Sequence, residues 1–287
     1  MRKMDCKCDK VNGWVLCCLF FLFFALQTNA QVQPAVSKKM CERVNTAFLS
    51  GEEISYDLYF NWKFIWIKVG HAALMVKDTL YNNRPAYQMD LYSISSKKAD
   101  RFFKMRDTIT SIMSQKMQPI YYRKGALEGK RYRVDQVHFF YGENLCYISQ
   151  LRQTDFEKVQ KRYFMEYDCV YDMLTILAQA RSFTAAGYTI GDRIPYKIAT
   201  GSRIEVQTLI FRGRKRVKAK DGNRYRCLVF DLVEKGKEKE ETIITFFVTD
   251  DKNHLPVRLD MHLNFGSAKA YLKEKKGVRY PFSSIVD

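Results

Sequence analysis

Residues 51–76 read GEEISYDLYFNWKFIWIKVGHAALMV, and the period of this stretch decides the fold class. Ile54, Tyr56, Leu58 and Phe60 alternate with Ser55, Asp57, Tyr59 and Asn61. Successive side chains of a strand point to opposite faces, so this pattern buries one face and wets the other. A helix would need apolar residues three and four apart instead. The run 64–77 repeats the alternation, with Ile65, Ile67, Val69, Ala73 and Met75 on one side. Gly70 inside that run predicts a bulge or a close backbone approach.

Outward from this pair, strands recur at turn-marked intervals. Tyr81-Asn82-Asn83-Arg84-Pro85 reads as a turn and 86–95 as the next strand. Further strands over 107–113, 120–124, 132–140 and 145–152 are separated by Gln118-Pro119, Glu128-Gly129 and Gly142-Glu143-Asn144. One segment breaks the rhythm: 168–182 carries Val170, Leu174, Leu177 and Ala178 at helical spacing, holds no Gly or Pro, and is followed by Gly187. Strands resume at Tyr188, with Asp221-Gly222-Asn223 as a tight hairpin and 234–241 as a solvated tip of alternating charge. Many short antiparallel strands around one helix predict a mainly β fold: a barrel, half-barrel or sandwich. Residues 51–287 read as a single β-rich domain, and the helix is the natural divider if it has two halves.

The first fifty residues differ in kind. Lys3, Lys7 and Lys10 precede an uncharged apolar run over 14–26, and Thr28-Asn29-Ala30 offers small residues at −3 and −1 of a cleavage site. Thirteen residues rise roughly 20 Å as a helix, short of the ~30 Å hydrocarbon core. Residues 1–30 are therefore expected to be a signal peptide cleaved after Ala30, followed by a polar leader over 31–50, which makes the protein exported and periplasmic. No later stretch approaches eighteen apolar residues, so no transmembrane segment is expected in the mature chain.

Charge narrows the partners. The chain holds 48 Lys and Arg against 31 Asp and Glu, a net +17; residues 1–30 carry four of the former and two of the latter, leaving +15. A basic exported protein is drawn to lipid headgroups, lipopolysaccharide, acidic glycans or an acidic envelope protein. Nucleic acid is not expected outside the cytoplasm. Cys41, Cys146, Cys169 and Cys227 remain after cleavage, without CxxC spacing, and allow three disulfide pairings or buried thiols.

Candidate chemistry is sparse. The stretch 249–260, TDDKNHLPVRLD, clusters two aspartates, an asparagine and a histidine, but it joins an apolar run over 242–248 to an alternating one over 257–265. Asp and Asn bond their own backbone at turns, and Pro256 fits the first residue of an outgoing strand, so the reading is a hairpin, not a metal site. His71, His138, His254 and His262 form neither HxH nor HExxH, and no GxSxG elbow or phosphate loop occurs. No catalytic residue, metal ligand or cofactor motif is assigned. The most distinctive feature is FRGRKRVKAK, where Arg212, Arg214, Arg216, Lys218 and Lys220 occupy every second position. On a strand these five span roughly 27 Å of one face, either as a soluble edge or as a stripe for phosphate or carboxylate groups. Trp62, Phe64 and Trp66 line an apolar pocket or pack in the core.

These segments resemble a known family. The opening over 51–76, the middle FFKMRDTITSIMSQKMQPIYYRK, the helix YDCVYDMLTILAQARSF and the ending FFVTDDKNHLPVRLDMHLNFGSAKAYL are similar to an exported bacterial family known as domain of unknown function 3108. The resemblance runs from about Gly51 to Leu272 and implies an exported, mostly antiparallel β protein with no assigned reaction or cofactor. By analogy its plan is similar to half-barrel carriers that shelter the lipid chains of lipoproteins. The expected function is a non-catalytic binding or envelope-maintenance module for an amphipathic or anionic ligand, with Arg212, Arg214, Arg216, Lys218, Lys220, Trp62 and Trp66 as its contacts. A scaffold that docks an acidic protein on strand 212–220, and a hydrolase of envelope polymers, are the alternatives.

Overall fold

In the computed structural model, described here for residues 41–62, 65–155, 157–184, 187–236, 239–263 and 266–287, the chain forms a nearly closed antiparallel barrel. The expected signal peptide with its cleavage site, leader residues 31–40, Phe64 and the side chain of Trp62 lie outside the described residues. The first eight strands are β1 (Glu53–Trp62), β2 (Ile65–Tyr81), β3 (Arg84–Ser95), β4 (Met105–Ser114), β5 (Pro119–Glu128), β6 (Arg131–Tyr141), β7 (Cys146–Thr154) and β8 (Gln160–Glu166). After the short β9 (Val170–Tyr171) and the helix α1 (Met173–Arg181) come β10 (Arg193–Ala199), β11 (Ile204–Lys218), β12 (Arg224–Lys235), β13 (Glu240–Thr249), β14 (Pro256–Leu263), β15 (Gly266–Lys276) and β16 (Ile285–Val286).

Two runs of hairpins, β1 to β8 and β10 to β15, meet where β1 pairs with β15. The path ends at β8 on one side and at β9, parallel to β10, on the other. Side chains bridge this gap. Lys197 of β10 reaches Glu166 at the end of β8 (2.7 Å) and Asp168 (2.9 Å), and Arg152 of β7 donates to the Thr200 carbonyl (3.2 Å).

Local chemistry sets the turns as the alternation sets the strands. Asn82 and Asn83, at φ 50° and 60°, make the β2–β3 turn, since asparagine tolerates the left-handed region. Gly70 sits opposite a register shift at Leu58/Tyr59, where a Cβ would collide with the Ile94 carbonyl oxygen. The 249–255 hairpin is closed by Thr249 N–H to the Leu255 carbonyl (2.9 Å) and by Asp251 accepting from the Asn253 amide (3.0 Å). The helix is shorter than the 168–182 expected. Val170 and Tyr171 pair with Lys197 and Ile198 as strand, and Asp172 then caps α1 by accepting from the Leu174 (3.0 Å) and Thr175 (2.9 Å) amides.

The register lines up the core. Phe211, Phe230, Phe246, Leu259, Ala270 and Leu58 pair in turn across six strands and so share one face. Leu74, Leu91 and Ile109 continue such a row on the other side of β1. Helix α1 is packed in the core: Leu174 and Ala178 join the main cluster of Ile54, Leu74, Met89, Ile109 and Met113. Its start is tied to β4, where Ser111 donates to Asp172 (3.0 Å). Gln179 donates to the carbonyls of Cys41 and Met117 (both 2.8 Å), fastening the segment before β1, whose Ala47 and Phe48 are fully buried. Phe183 and Tyr188, just past the helix, cover Phe230 and Phe211.

Arg181 closes the arrangement. It is 1% exposed, forms two bonds to Glu52 at the start of β1 (2.5 and 3.0 Å), and donates to the Asn253 carbonyl (3.2 Å). A buried ion pair is expensive to desolvate, but removing one partner strands the other charge, at about 3–5 kcal/mol. Arg181→Ala and Glu52→Gln should each lower unfolding stability by about that amount in urea titrations. An Arg181→Met/Glu52→Leu double variant should lose less than either.

Candidate anion-binding surface

The basic segment folds as β11, but a bulge divides its cations. Phe211 pairs with Phe230 and Arg214 with Leu228, so three residues of β11 advance against two of β12, with Gly213 at φ +95° in the bulge. Arg212 therefore points away from Arg214. It pairs with Asp231 (2.7 Å), which also accepts from Thr245 (2.6 Å). The single five-cation face expected from alternation is thus broken: Arg212 leaves it through the bulge, and Lys220 lies in the turn beyond the strand.

The structure supplies two replacements from β12. Arg216 pairs directly across with Arg226, and Lys218 with Arg224. Together with Arg214 these make a face of five cations over two strands. Asp250 accepts from both Arg214 (3.1 Å) and Arg226 (3.0 Å). Arg224 donates to a main-chain oxygen of Asp287, the last residue of the sequence (3.2 Å), and Arg216 and Lys218 are exposed with no ion pair among the described residues. Arg224 and Arg226 escaped the sequence reading, although the Asp221-Gly222-Asn223 turn carries the signal. Counting back from that hairpin sets Lys218 and Arg216 opposite them.

Lys220 and Trp66 belong elsewhere. Trp66 pairs with Asn61 and so lies on the Asp57 and Tyr59 side of β1, opposite the buried Tyr56 and Leu58. It is 37% exposed, under the ammonium of Lys269 at 4.1 Å from its ring, and lines no interior pocket. The β1 alternation decides this, since the odd-numbered residues of β1 face away from the core. Lys220 stands over Tyr59 (5.4 Å) and Tyr271 (5.9 Å), and Arg258 over Phe247 (4.9 Å) and Tyr271 (5.4 Å). Cations over ring faces are attracted by the negative quadrupole. This second surface is internally compensated, with Asp57 engaging Lys68 and His71 and Asp260 engaging Arg258.

Buried charge gathers at a third place. Asp135, 2% exposed, takes Arg133 (3.1 Å) and Arg152 (2.5 Å), and Gly201 packs against it so closely that any Cβ there would collide. Gln150, fully buried on β7, has neither amide atom hydrogen-bonded among the described residues. Asp107 on β4 has its pKa pushed up to about 6 by burial, more than Lys124 and Arg133 offset. Asp100 is committed to Arg106 (2.5 Å). Among the described residues no cluster of His, Cys, Asp or Glu has metal-ligating geometry.

The sign of the Asp107 effect is fixed. Its folded pKa of about 6 exceeds the ordinary aspartate value near 4, so between these the folded chain holds a proton that the unfolded chain has lost. Its contribution to stability is full below about pH 4 and is lost as pH rises through about 6. Asp107→Asn should match the parent near pH 4 and exceed it at pH 7, read as denaturation midpoints across that range.

Comparison with known proteins agrees with the architecture. The family model described as "Protein of unknown function (DUF3108)" matches residues 55–273. The crystal structure of a "beta-barrel-like protein of domain of unknown function DUF1849" from Brucella abortus superposes with a TM-score of 0.55 at 9% identity, over 80% of this chain and 98% of that one. At that identity it shows a shared fold alone. A protein with a YmcC-like fold from Bacteroides fragilis aligns at 9% identity over 82% of this chain and 100% of its own, with a TM-score of only 0.32. No curated protein matches the sequence. Among the described residues no helix is long and apolar enough to cross a membrane.

Proposed function

We propose that this chain, which belongs to the DUF3108 family of proteins of unknown function, is an exported, periplasmic binding or envelope-maintenance module. Its ligand is anionic or amphipathic: a lipid headgroup, lipopolysaccharide or acidic glycan bound on the β11–β12 face. The observation that carries this reading is the like-charged cross-strand pairing of Arg216 with Arg226 and of Lys218 with Arg224. Like charges directly opposite on a sheet destabilise it. Even in water the repulsion of two unit charges at such spacing is about 1 kcal/mol, and here Asp250 is shared between Arg214 and Arg226. A phosphate or carboxylate laid along the pair of strands removes that repulsion, and guanidinium groups bind such oxyanions bidentately. The excess of basic over acidic residues draws such a ligand in.

Co-sedimentation with phosphatidylglycerol vesicles, with phosphatidylcholine vesicles as control, tests the reading. The parent should bind the anionic vesicles and release them as salt shortens the screening length below about 10 Å. The triple variant Arg216→Glu/Lys218→Glu/Arg224→Glu should lose at least tenfold in affinity, while Arg212→Ala, whose partner lies on the other side of the strand, should lose little. Unchanged binding by the triple variant would sink the proposal. Failure on vesicles combined with retention on an acidic polypeptide such as polyglutamate would move this face to protein docking.

A further inference from the structure

The cysteines left unpaired by sequence spacing are brought together by the fold. Cys41, before β1, and Cys169, just before β9, are 128 positions apart, yet their thiols lie in hydrogen-bond contact. The Cys169 sulfur also accepts from the Cys41 amide and the Tyr171 hydroxyl, and the Cys41 sulfur accepts from the Val170 amide. Both residues are held by rigid neighbours. Gln179 of α1 binds the Cys41 carbonyl at 2.8 Å, Arg43 N–H bonds to the Lys116 carbonyl at 2.8 Å, and Val170 pairs with Lys197 of β10. Cys41 is buried and Cys169 half-buried, so an approaching reagent meets Cys169 first. Cys146 stands nearby but is fully buried, and Cys227 sits apart on β12 with its thiol directed to the Tyr225 carbonyl (3.7 Å).

We propose that Cys41 and Cys169 form a disulfide, which ties the segment before β1 to the stretch that leads into α1. The oxidant is of the disulfide class, either a small molecule such as oxidised glutathione or a dithiol oxidoreductase in its oxidised form. The Cys169 thiolate attacks one sulfur of that disulfide and expels a thiolate, leaving a mixed disulfide. Cys41, having given up its proton, then attacks the Cys169 sulfur and expels the second thiolate. Two cysteine thiols are oxidised, one external disulfide is reduced, and the two protons released are taken up by the expelled thiolates. The order of attack follows from the contacts. Hydrogen bonds from Cys41, and further ones from Tyr171 and the Cys41 amide, hold the Cys169 pKa down at about 7 despite burial. The same contact, with burial, pushes the Cys41 thiol far up. A thiolate at neutral pH is the attacking species.

Full-length protein from an exporting host, and reduced protein treated with oxidised glutathione, are alkylated under denaturing conditions and digested without reduction. A peptide linking Cys41 to Cys169 is expected in both, together with a rise in Tm of about 5–15 °C over the reduced form, as a long closed loop implies. Cys169→Ser should abolish both the linked peptide and the dependence of Tm on reductant. Alkylation of both thiols after the glutathione treatment, linkage of either to Cys146 or Cys227, or a redox-dependent Tm surviving in Cys169→Ser would overturn the assignment.

Discussion

A buried charged side chain at the end of the helix fastens the filling of this barrel to its wall. Arg181 joins the start of β1, the β13–β14 turn and the C-terminus of α1 through one group, via Glu52 and the Asn253 carbonyl. A helix packed among strands must satisfy its own ends without water. Asp172 does this at the first turn with help from Ser111 and Thr175, and Ser182 bonds back to Gln179 at the last. The Arg181 carbonyl accepts from His254 Nδ1 (2.8 Å), whose ring stacks on Phe183 at 4.3 Å. Burial holds the pKa of this histidine down, so at neutral pH its single proton sits on Nδ1, where the carbonyl needs it.

The wall was legible in the sequence and its filling was not. Period-two alternation in 51–76, the Asn82-Asn83 turn and the Asp221-Gly222-Asn223 turn are local signals, and each stands where the alternation placed it. Glu52, Arg181 and Asn253 carry no such signal, because a buried ion pair between positions 129 apart looks like two unrelated surface charges until the chain is folded. The start of the helix moved for a related reason. Val170 fits a helical face as well as a strand, and only its pairing with Lys197 decides between them.

The basic strand shows how one residue redirects a pattern. Gly213 takes the left-handed conformation in the bulge, and every cation before it changes sides relative to those after. Arg212 is thereby neutralised by Asp231, while Arg216 and Lys218 are set against Arg226 and Arg224. Alternation alone reads a continuous stripe where the fold makes a compact square of charge. Trp66 shows the opposite case: it obeys alternation strictly and is carried outward to Lys269 by it.

The gap between β8 and β9 is the one place where the path of paired strands is interrupted. Everywhere else along the path neighbouring strands share ladder bonds, so widening the girth there means breaking several amide contacts at once. At the gap the ladder is replaced, among the described residues, by side-chain contacts of Lys197 with Glu166 and Asp168 and of Arg152 with the Thr200 carbonyl, and by the packing of Gly201 against Asp135. The barrel is thus a hoop with a clasp, fastened by charge at one meridian instead of by a ladder, and the edge strand β8, with Lys161 and Arg162 turned to solvent, carries the like charges that discourage pairing with another molecule's edge.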